Sequence, residues 1–309
     1  MKRKYIAIVG PTASGKTDIS IELAKALNAE IISADSRQIY KNIPISTATP
    51  SLEERQGIKH YFLEEIELDK EYNAGEFGKD ARKIIEEIFR KGKFPLIVGG
   101  SGLYIKSLID GFFEEEIESK EIRKELYEEM EKNGKEYLYE KLIKVDKESA
   151  DKISPQFYRR VIRALEVYYA TGKKISDLQK HNVESEFEAI QFGLMLDREY
   201  LYERINRRVD KMIEDGLLKE IEWLKNNGYH YKTHNSLNTV GIKEVFKYLE
   251  GEYDYDEMVN MIKQNTRRYA KRQMTWFRRD ERINWVDGKK NVEKIIEEMM
   301  GKMQIVNSK

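Results

Sequence analysis

The stretch Gly10-Pro11-Thr12-Ala13-Ser14-Gly15-Lys16-Thr17 sets the tightest limit on how this chain folds. It follows an apolar run, Tyr5-Ile6-Ala7-Ile8-Val9, that reads as a buried parallel strand. It precedes Ile19 to Leu27, in which Ile19, Leu23, Ala24, Ala26 and Leu27 recur at helical spacing. Strand, glycine-bounded loop, Lys-Thr and helix, in that order, is the context a phosphate-binding loop requires. Gly10 and Gly15 let the backbone curl until its N–H groups converge on one anion. The helix beginning near Gly15 adds its positive end. Lys16 supplies a mobile cation, and the Thr17 hydroxyl is a candidate ligand for Mg2+, the expected cofactor. The bland alternative is a strand-to-helix turn that matches by chance. The favoured reading is a site for a diphosphate or triphosphate.

A second apolar run, Glu30-Ile31-Ile32-Ser33-Ala34, leads into Asp35-Ser36-Arg37-Gln38-Ile39-Tyr40. In doubly wound sheets, ligand-contacting residues lie just beyond the carboxyl ends of strands, so Asp35 falls beside the phosphate loop. The bland alternative is that Asp35 is a helix N-cap, and the two readings do not exclude each other. Residues 41–73 read as irregular, and a helix is expected over Ala74 to Lys91. Phe94 to Val98 reads as a third strand ending in Gly99-Gly100-Ser101-Gly102, where an ordinary ATPase of this type places an acidic metal ligand. That glycine turn suits either a close approach to a ligand or a plain tight turn into the next helix.

Beyond Gly111 the chain becomes dense in Glu and Lys, and residues 115–194 are expected to form a helical insertion domain. Its charges are most simply a solvated face. Arg159, Arg160 and Arg163 lie on a helix of about Phe157 to Ala170. The core comprises 1–114 and 195–309, with Ala189 to Leu196 reading as a strand that resumes the sheet. Over Asp197 to Leu224 a helix is predicted in which Arg204, Arg207, Arg208 and Lys211 share one stripe. That stripe is either functional or a solvated face paired with Glu203 and Asp210. The segment Lys263 to Arg279 interleaves cations, including Arg267 and Arg268, with aromatics. Contact with phosphates and unstacked bases is the favoured reading, and a core helix with snorkelling arginines is the alternative. The 55 Lys and Arg balance the 55 Asp and Glu, so net charge does not identify a partner. With no cysteine there is no disulfide or thiolate chemistry, and His60, His181, His230 and His234 suggest no zinc site. No signal-like or membrane-spanning stretch is visible, so a cytoplasmic protein with no membrane partner is expected.

Taken together, these motifs resemble the tRNA dimethylallyltransferase family, which prenylates the adenine next to the anticodon. The resemblance covers nearly the whole chain. It rests on Gly10 to Thr17, Asp35 to Tyr40, Gly99 to Tyr104, Arg204 to Leu217, Gly241-Ile242-Lys243-Glu244 and Thr266 to Arg278, in the family's order. It implies an α/β fold with a P-loop NTPase-like core, a parallel sheet flanked by helices, and the helical insertion. It implies that Gly10, Pro11, Thr12, Ala13, Ser14, Gly15, Lys16 and Thr17 hold the diphosphate of dimethylallyl diphosphate rather than ATP. Asp35 is then the general base, and Lys16, Ser101 and Arg208 serve the same chemistry. Asp35, Ser36, Arg37, Gln38 and Ser101 are expected to contact a tRNA anticodon stem-loop. So are Arg123, the segment Arg159, Arg160, Val161, Ile162 and Arg163, and Arg267 with Arg268. The family commonly has Thr at Ser101, a His-His pair at His60-Tyr61 and Lys at Thr49. A monomer is expected. A P-loop kinase with the insertion as a lid is the rival enzyme, and a nucleotide-gated RNA-binding protein the rival without catalysis.

Overall fold

The computed structural model describes residues 2–111, 119–180 and 186–307. His181 and residues 112–118, where the expected insertion begins, lie outside the described residues. The chain divides into two compact units, Met1–Ile109 with Glu186–Lys309, and Asp110–Ser185. The first unit opens with β1 (Arg3–Val9), α1 (Lys16–Leu27), β2 (Ala29–Ser33), α2 (Pro44–Thr47), β3 (His60–Tyr61), α3 (Ala74–Arg90), β4 (Phe94–Gly99) and α4 (Gly102–Asp110). The second contains α5 (Lys120–Asn133), α6 (Lys135–Val145), α7 (Lys147–Ala150), α8 (Tyr158–Thr171) and α9 (Ile175–Leu178). The chain then returns to the first unit as β5 (Phe187–Met195), α10 (Arg198–Glu214), α11 (Leu217–Asn226), α12 (Ile242–Leu249), α13 (Tyr255–Phe277), β6 (Ile283–Asp287) and α14 (Val292–Asn307).

Among the described residues the strands form one parallel sheet in the order β3-β2-β4-β1-β5-β6. Helices cover such a sheet on both faces, which is why β1 is an unbroken apolar run with Tyr5 to Val9 all buried. Ile6, Ile8, Ile31, Leu96, Ile190, Phe192 and Leu194 pack with Ile19 and Leu23 of α1 and Ile295 and Met299 of α14. This core fixes where the strands end. The phosphate loop follows β1, Asp35 follows β2, and Gly100 and Ser101 follow β4, so three chain segments meet along one edge of the sheet.

The expected insertion boundary at 194 needs correction. β5 pairs with β1 from Arg3 opposite Phe187 to Val9 opposite Gly193, so residues 187–194 belong to the sheet. The apolar run marks a strand, and the pairing settles which unit holds it. The predicted helix over 197–224 is two helices, because Gly216 lies in the left-handed region at φ 105°. Residues 41–73 are not wholly irregular, since α2 and the edge strand β3 lie within them. The second unit has its own core, built from Leu126, Leu138, Leu142, Val161, Ile162 and Leu165.

Candidate active site

The phosphate loop is held in a sharply bent shape by its own backbone and by neighbouring side chains. Ala13 takes a left-handed conformation at φ 62°, and Gly15, which starts α1, lies at φ 90°. Lys16 Nζ donates to the carbonyls of Gly10 and Pro11 at 3.0 and 2.7 Å. From α10, Arg204 Nε donates to the Ala13 carbonyl at 2.7 Å. Ser14 Oγ is buried and has no hydrogen-bond partner among the described residues. A buried hydroxyl of this kind inside an amide-lined turn suits a bound oxyanion.

The loop lines a cavity of about 790 Å³ together with Asp35, Arg37, Gln38, Thr47, Gly100, Arg208, Thr266, Tyr269 and Gln273. Through Oδ1, Asp35 accepts from the N–H groups of Arg37 and Gln38 at 2.9 and 3.4 Å. Asp35 is therefore not a helix N-cap, because residues 36–39 form a turn, but its bonds to that turn orient a carboxylate that also lines the cavity. Ser101 Oγ accepts from Ser36 N at 3.0 Å, which joins the turn after β4 to the turn after β2. Arg208 Nη2 donates to the Thr47 carbonyl at 3.4 Å. Arg37 donates to the carbonyls of Asn235 and Ser236 at 2.6 and 3.1 Å, so its guanidinium anchors the loop before α12.

The electrostatics reflect this crowding. Burial, reinforced by Arg208 and opposed by Asp35, pushes Lys16 down to about 7 from the usual 10.5. Arg208 is also lowered, by burial first, with Asp35 pulling it back up. Both cations feel Asp35, Arg208 also feels Glu54, and a polyanion would relieve the repulsion between them. Thr17 is exposed at the start of α1 and lines the cavity, and its hydroxyl is the side-chain group that would hold a magnesium ion there. Among the described residues no cluster of three His, Asp or Glu side chains is placed to hold a metal. An ion here would take its remaining ligands from phosphate oxygens and water.

The basic stripe of α10 divides by its bonding, although all four cations line the cavity. Arg207 and Lys211 are the more exposed and pair with Glu203 and Asp215, while Arg204 and Arg208 donate to the carbonyls of Ala13 and Thr47. Asp210 pairs with Lys263 of α13 instead. The basic block of α13 is likewise divided. Arg267 donates to Asn206 Oδ1 at 2.7 Å and lies over Tyr202, tying α13 to α10, whereas Arg268 is exposed.

Sequence reasoning missed what the buried face of α13 does. Gln273 accepts from Thr12 N and donates to the Gly100 carbonyl, both at 2.9 Å, bracing the phosphate loop against the glycine turn. A Cβ on Gly100 would lie 2.3 Å from Gln273 Nε2, and one on Gly99 would lie 2.2 Å from the Ala34 carbonyl. The glycines after β4 are thus required by close approach. Tyr269, pushed up to about 12 chiefly by burial, bonds to Ser101. The available signal was the spacing of Thr266, Tyr269 and Gln273, which puts all three on one face.

The departure at Tyr61 lies at the sheet edge, where its hydroxyl donates to Glu30 at 2.7 Å and accepts from Lys91 at 2.8 Å. Thr49 lines the cavity and bonds to Thr47 through its hydroxyl at 2.8 Å.

In the second unit, Arg159 and Arg160 are exposed, with Arg160 over the ring of Phe157. Val161 and Ile162 turn inward to the core, so their side chains do not belong to a surface. Arg123 binds the fully buried Glu166 through two bonds of 3.1 and 3.2 Å, and Arg163 adds a third of 3.0 Å. Glu166 fixes both guanidinium groups.

A glycine-bounded loop braced by a distant helix thus shares one cavity with a carboxylate, and glycines follow where an ordinary ATPase has an acidic metal ligand; the comparisons identify the class as a transferase. A family model described as IPP transferase matches residues 38–280. The chain is 48% identical over 288 residues to the tRNA dimethylallyltransferase of Natranaerobius thermophilus, covering 92% of this chain and 86% of that protein. Against the tRNA dimethylallyltransferase of Carboxydothermus hydrogenoformans it is 45% identical over 311 residues, with 99% of each covered. The solved tRNA isopentenylpyrophosphate transferase of Bacillus halodurans superposes with a TM-score of 0.74 at 38% identity, covering 98% of this chain and 96% of that one. A eukaryotic dimethylallyltransferase, solved acting on tRNA, gives 0.79 at 32% identity, covering 93% of this chain and 74% of that one. The chain belongs to the IPP transferase family, and it is a prenyl-transferring enzyme of tRNA modification. No helix among the described residues is long and apolar enough to cross a membrane.

The site carries two measurable consequences. Because Lys16 in the free protein titrates near 7 rather than 10.5, the unfolded chain binds more protons between those values. The free protein therefore gains stability as pH rises through that window. A polyanion favours the charged lysine, so its affinity falls as pH rises above 7, with proton uptake on binding. Calorimetry of inorganic diphosphate in buffers of different ionisation heat reads this uptake, and Lys16→Met abolishes it. For RNA, reversing Arg159 and Arg160 to Glu weakens tRNA binding and lowers the log–log salt slope by about two, one per lost phosphate contact. Filter binding across salt concentrations checks it.

Proposed function

We propose that this chain transfers the dimethylallyl group of dimethylallyl diphosphate to the exocyclic amine of the adenine 3′ of the anticodon, releasing diphosphate. The observation that carries the reading is that Asp35 lines the same cavity as Lys16 and Arg208, with glycines and Ser101 at the turn that ends β4. The phosphate-loop amides, Lys16 and Arg208 hold the diphosphate and take up the charge that grows on it as its bond to the prenyl carbon breaks. The electron pair of that carbon–oxygen bond leaves with the diphosphate. The adenine nitrogen forms the new bond to the prenyl carbon, and its proton passes to Asp35. A magnesium ion resting on Thr17 would neutralise part of the leaving charge. Ser101, held between Ser36 and Tyr269, keeps the turn beside Asp35 in place. An adenine stacked in an anticodon loop must leave its stack to reach this cavity. Arg159 and Arg160 of the second unit supply exposed cations for the RNA backbone.

A phosphoryl-transfer reading, in which the same loop binds ATP, lacks the acidic metal ligand after β4 that such chemistry uses. Asp35→Asn tests the prenyl reading directly. Asn keeps an Oδ1 acceptor for the Arg37 and Gln38 amides, so the turn survives while the base is lost. Single-turnover transfer at saturating tRNA and donor is expected to fall about 100- to 10,000-fold. Melting temperature and tRNA affinity should be nearly unchanged. A fall of less than tenfold would assign the proton to another group.

A further inference from the structure

The short helix α2 forms part of the cavity wall, yet its own sequence does little to hold it. Its N-terminal flank, Ile43, provides no side-chain cap, and Pro44 opens the helix. A helix of four residues has no internal cooperativity to stabilise it. Its first turn is instead capped from α11. Glu220 accepts from Ile45 N at 2.8 Å and from Ser46 N at 2.9 Å, and it also accepts from the Ser46 hydroxyl. Ser46 is buried. A carboxylate taking the amides of a helix start is favourable both as an acceptor and as a negative charge.

The other end of α2 reaches the reaction site. The Thr47 carbonyl accepts from Arg208 Nη2 at 3.4 Å and from Gln38 Nε2 at 3.3 Å, and the Ala48 carbonyl accepts from Gln38 Nε2 at 3.1 Å. Gln38 in turn closes the Asp35 turn through its own amide. Arg208 and Gln38 thus rest on the C-terminal carbonyls of a helix whose N-terminus is held by Glu220.

We infer that Glu220 is a positioning residue, which sets the Arg208 guanidinium for the departing diphosphate by fixing α2. The inference rests on the diphosphate reading of the cavity. Glu220 does not line that cavity, and its hydrogen bonds to Ile45 and Ser46 reach Arg208 through α2. Without Glu220, the amides of Ile45 and Ser46 lose their acceptor, α2 shifts, and the Thr47 carbonyl no longer orients Arg208.

The test is a double-mutant cycle read by calorimetric binding of inorganic diphosphate, with melting curves alongside. A cycle isolates coupling that a general loss of stability would not produce. Glu220→Ala is expected to weaken diphosphate binding about tenfold, while tRNA affinity is unchanged. In an Arg208→Ala background the same substitution should cost less than twofold. Glu220→Gln keeps one acceptor oxygen and should fall between, which retains a measurement if the alanine variant folds poorly. Unchanged affinity in both variants, or an equal loss in the two backgrounds, would overturn the inference. Failure of the unsubstituted chain to bind diphosphate would overturn the site reading itself, and this inference with it.

Discussion

The structure depends on a concentration of positive charge that its own carboxylates do not balance. Lys16 and Arg208 sit within electrostatic reach of each other and of Asp35, and burial lowers both. Arg204 clamps the phosphate loop through the Ala13 carbonyl from the same helix that carries Arg208. Holding cations this close in a partly desolvated cavity is unfavourable until an anion arrives. The remaining architecture serves to keep them there. β1 delivers the loop, β2 and β4 deliver the two turns, and α10 delivers the arginines.

The bracing elements come from far along the chain. Gln273 lies on α13, more than two hundred residues after the Thr12 amide that it binds. Its second bond, to the Gly100 carbonyl, ties the phosphate loop to the turn carrying Ser101. A glutamine in this position uses both ends of its amide, one accepting and one donating, which an isosteric Glu would not do at neutral pH. From α11, Glu220 performs a comparable task for α2. The second unit follows the same logic around Glu166, where one buried carboxylate orders Arg123 and Arg163.

Local signals in the sequence are sufficient for the parts that obey local rules. The strand, loop and helix around Gly10 to Thr17 are legible because loop chemistry and apolar periodicity coincide there. Asp35 is legible as a site residue because strand ends in parallel sheets face ligands. The stripe on α10 is visible as four cations, but not that Arg204 and Arg208 bond to the carbonyls of Ala13 and Thr47 while Arg207 and Lys211 pair with Glu203 and Asp215. That division depends on where α10 lies against the phosphate loop, which helical spacing does not encode. β6 and β3 are hard to see because five and two residues at the sheet edges carry little periodicity. The end of the insertion is misplaced by sequence because an apolar run says that a strand exists, not which strand it pairs with. Gln273 is hidden inside a basic block, where its neighbours point to RNA and its own partners lie in another part of the chain.

The central claim is that this cavity joins a prenyl donor to an adenine rather than passing a phosphoryl group. The direct measurement is mass spectrometry of an anticodon stem-loop incubated with the protein, Mg2+ and either dimethylallyl diphosphate or ATP. The account predicts one added prenyl group, on the adenine 3′ of the anticodon, with dimethylallyl diphosphate alone. Phosphoryl transfer from ATP to any acceptor, or a prenyl group on another base, would contradict it.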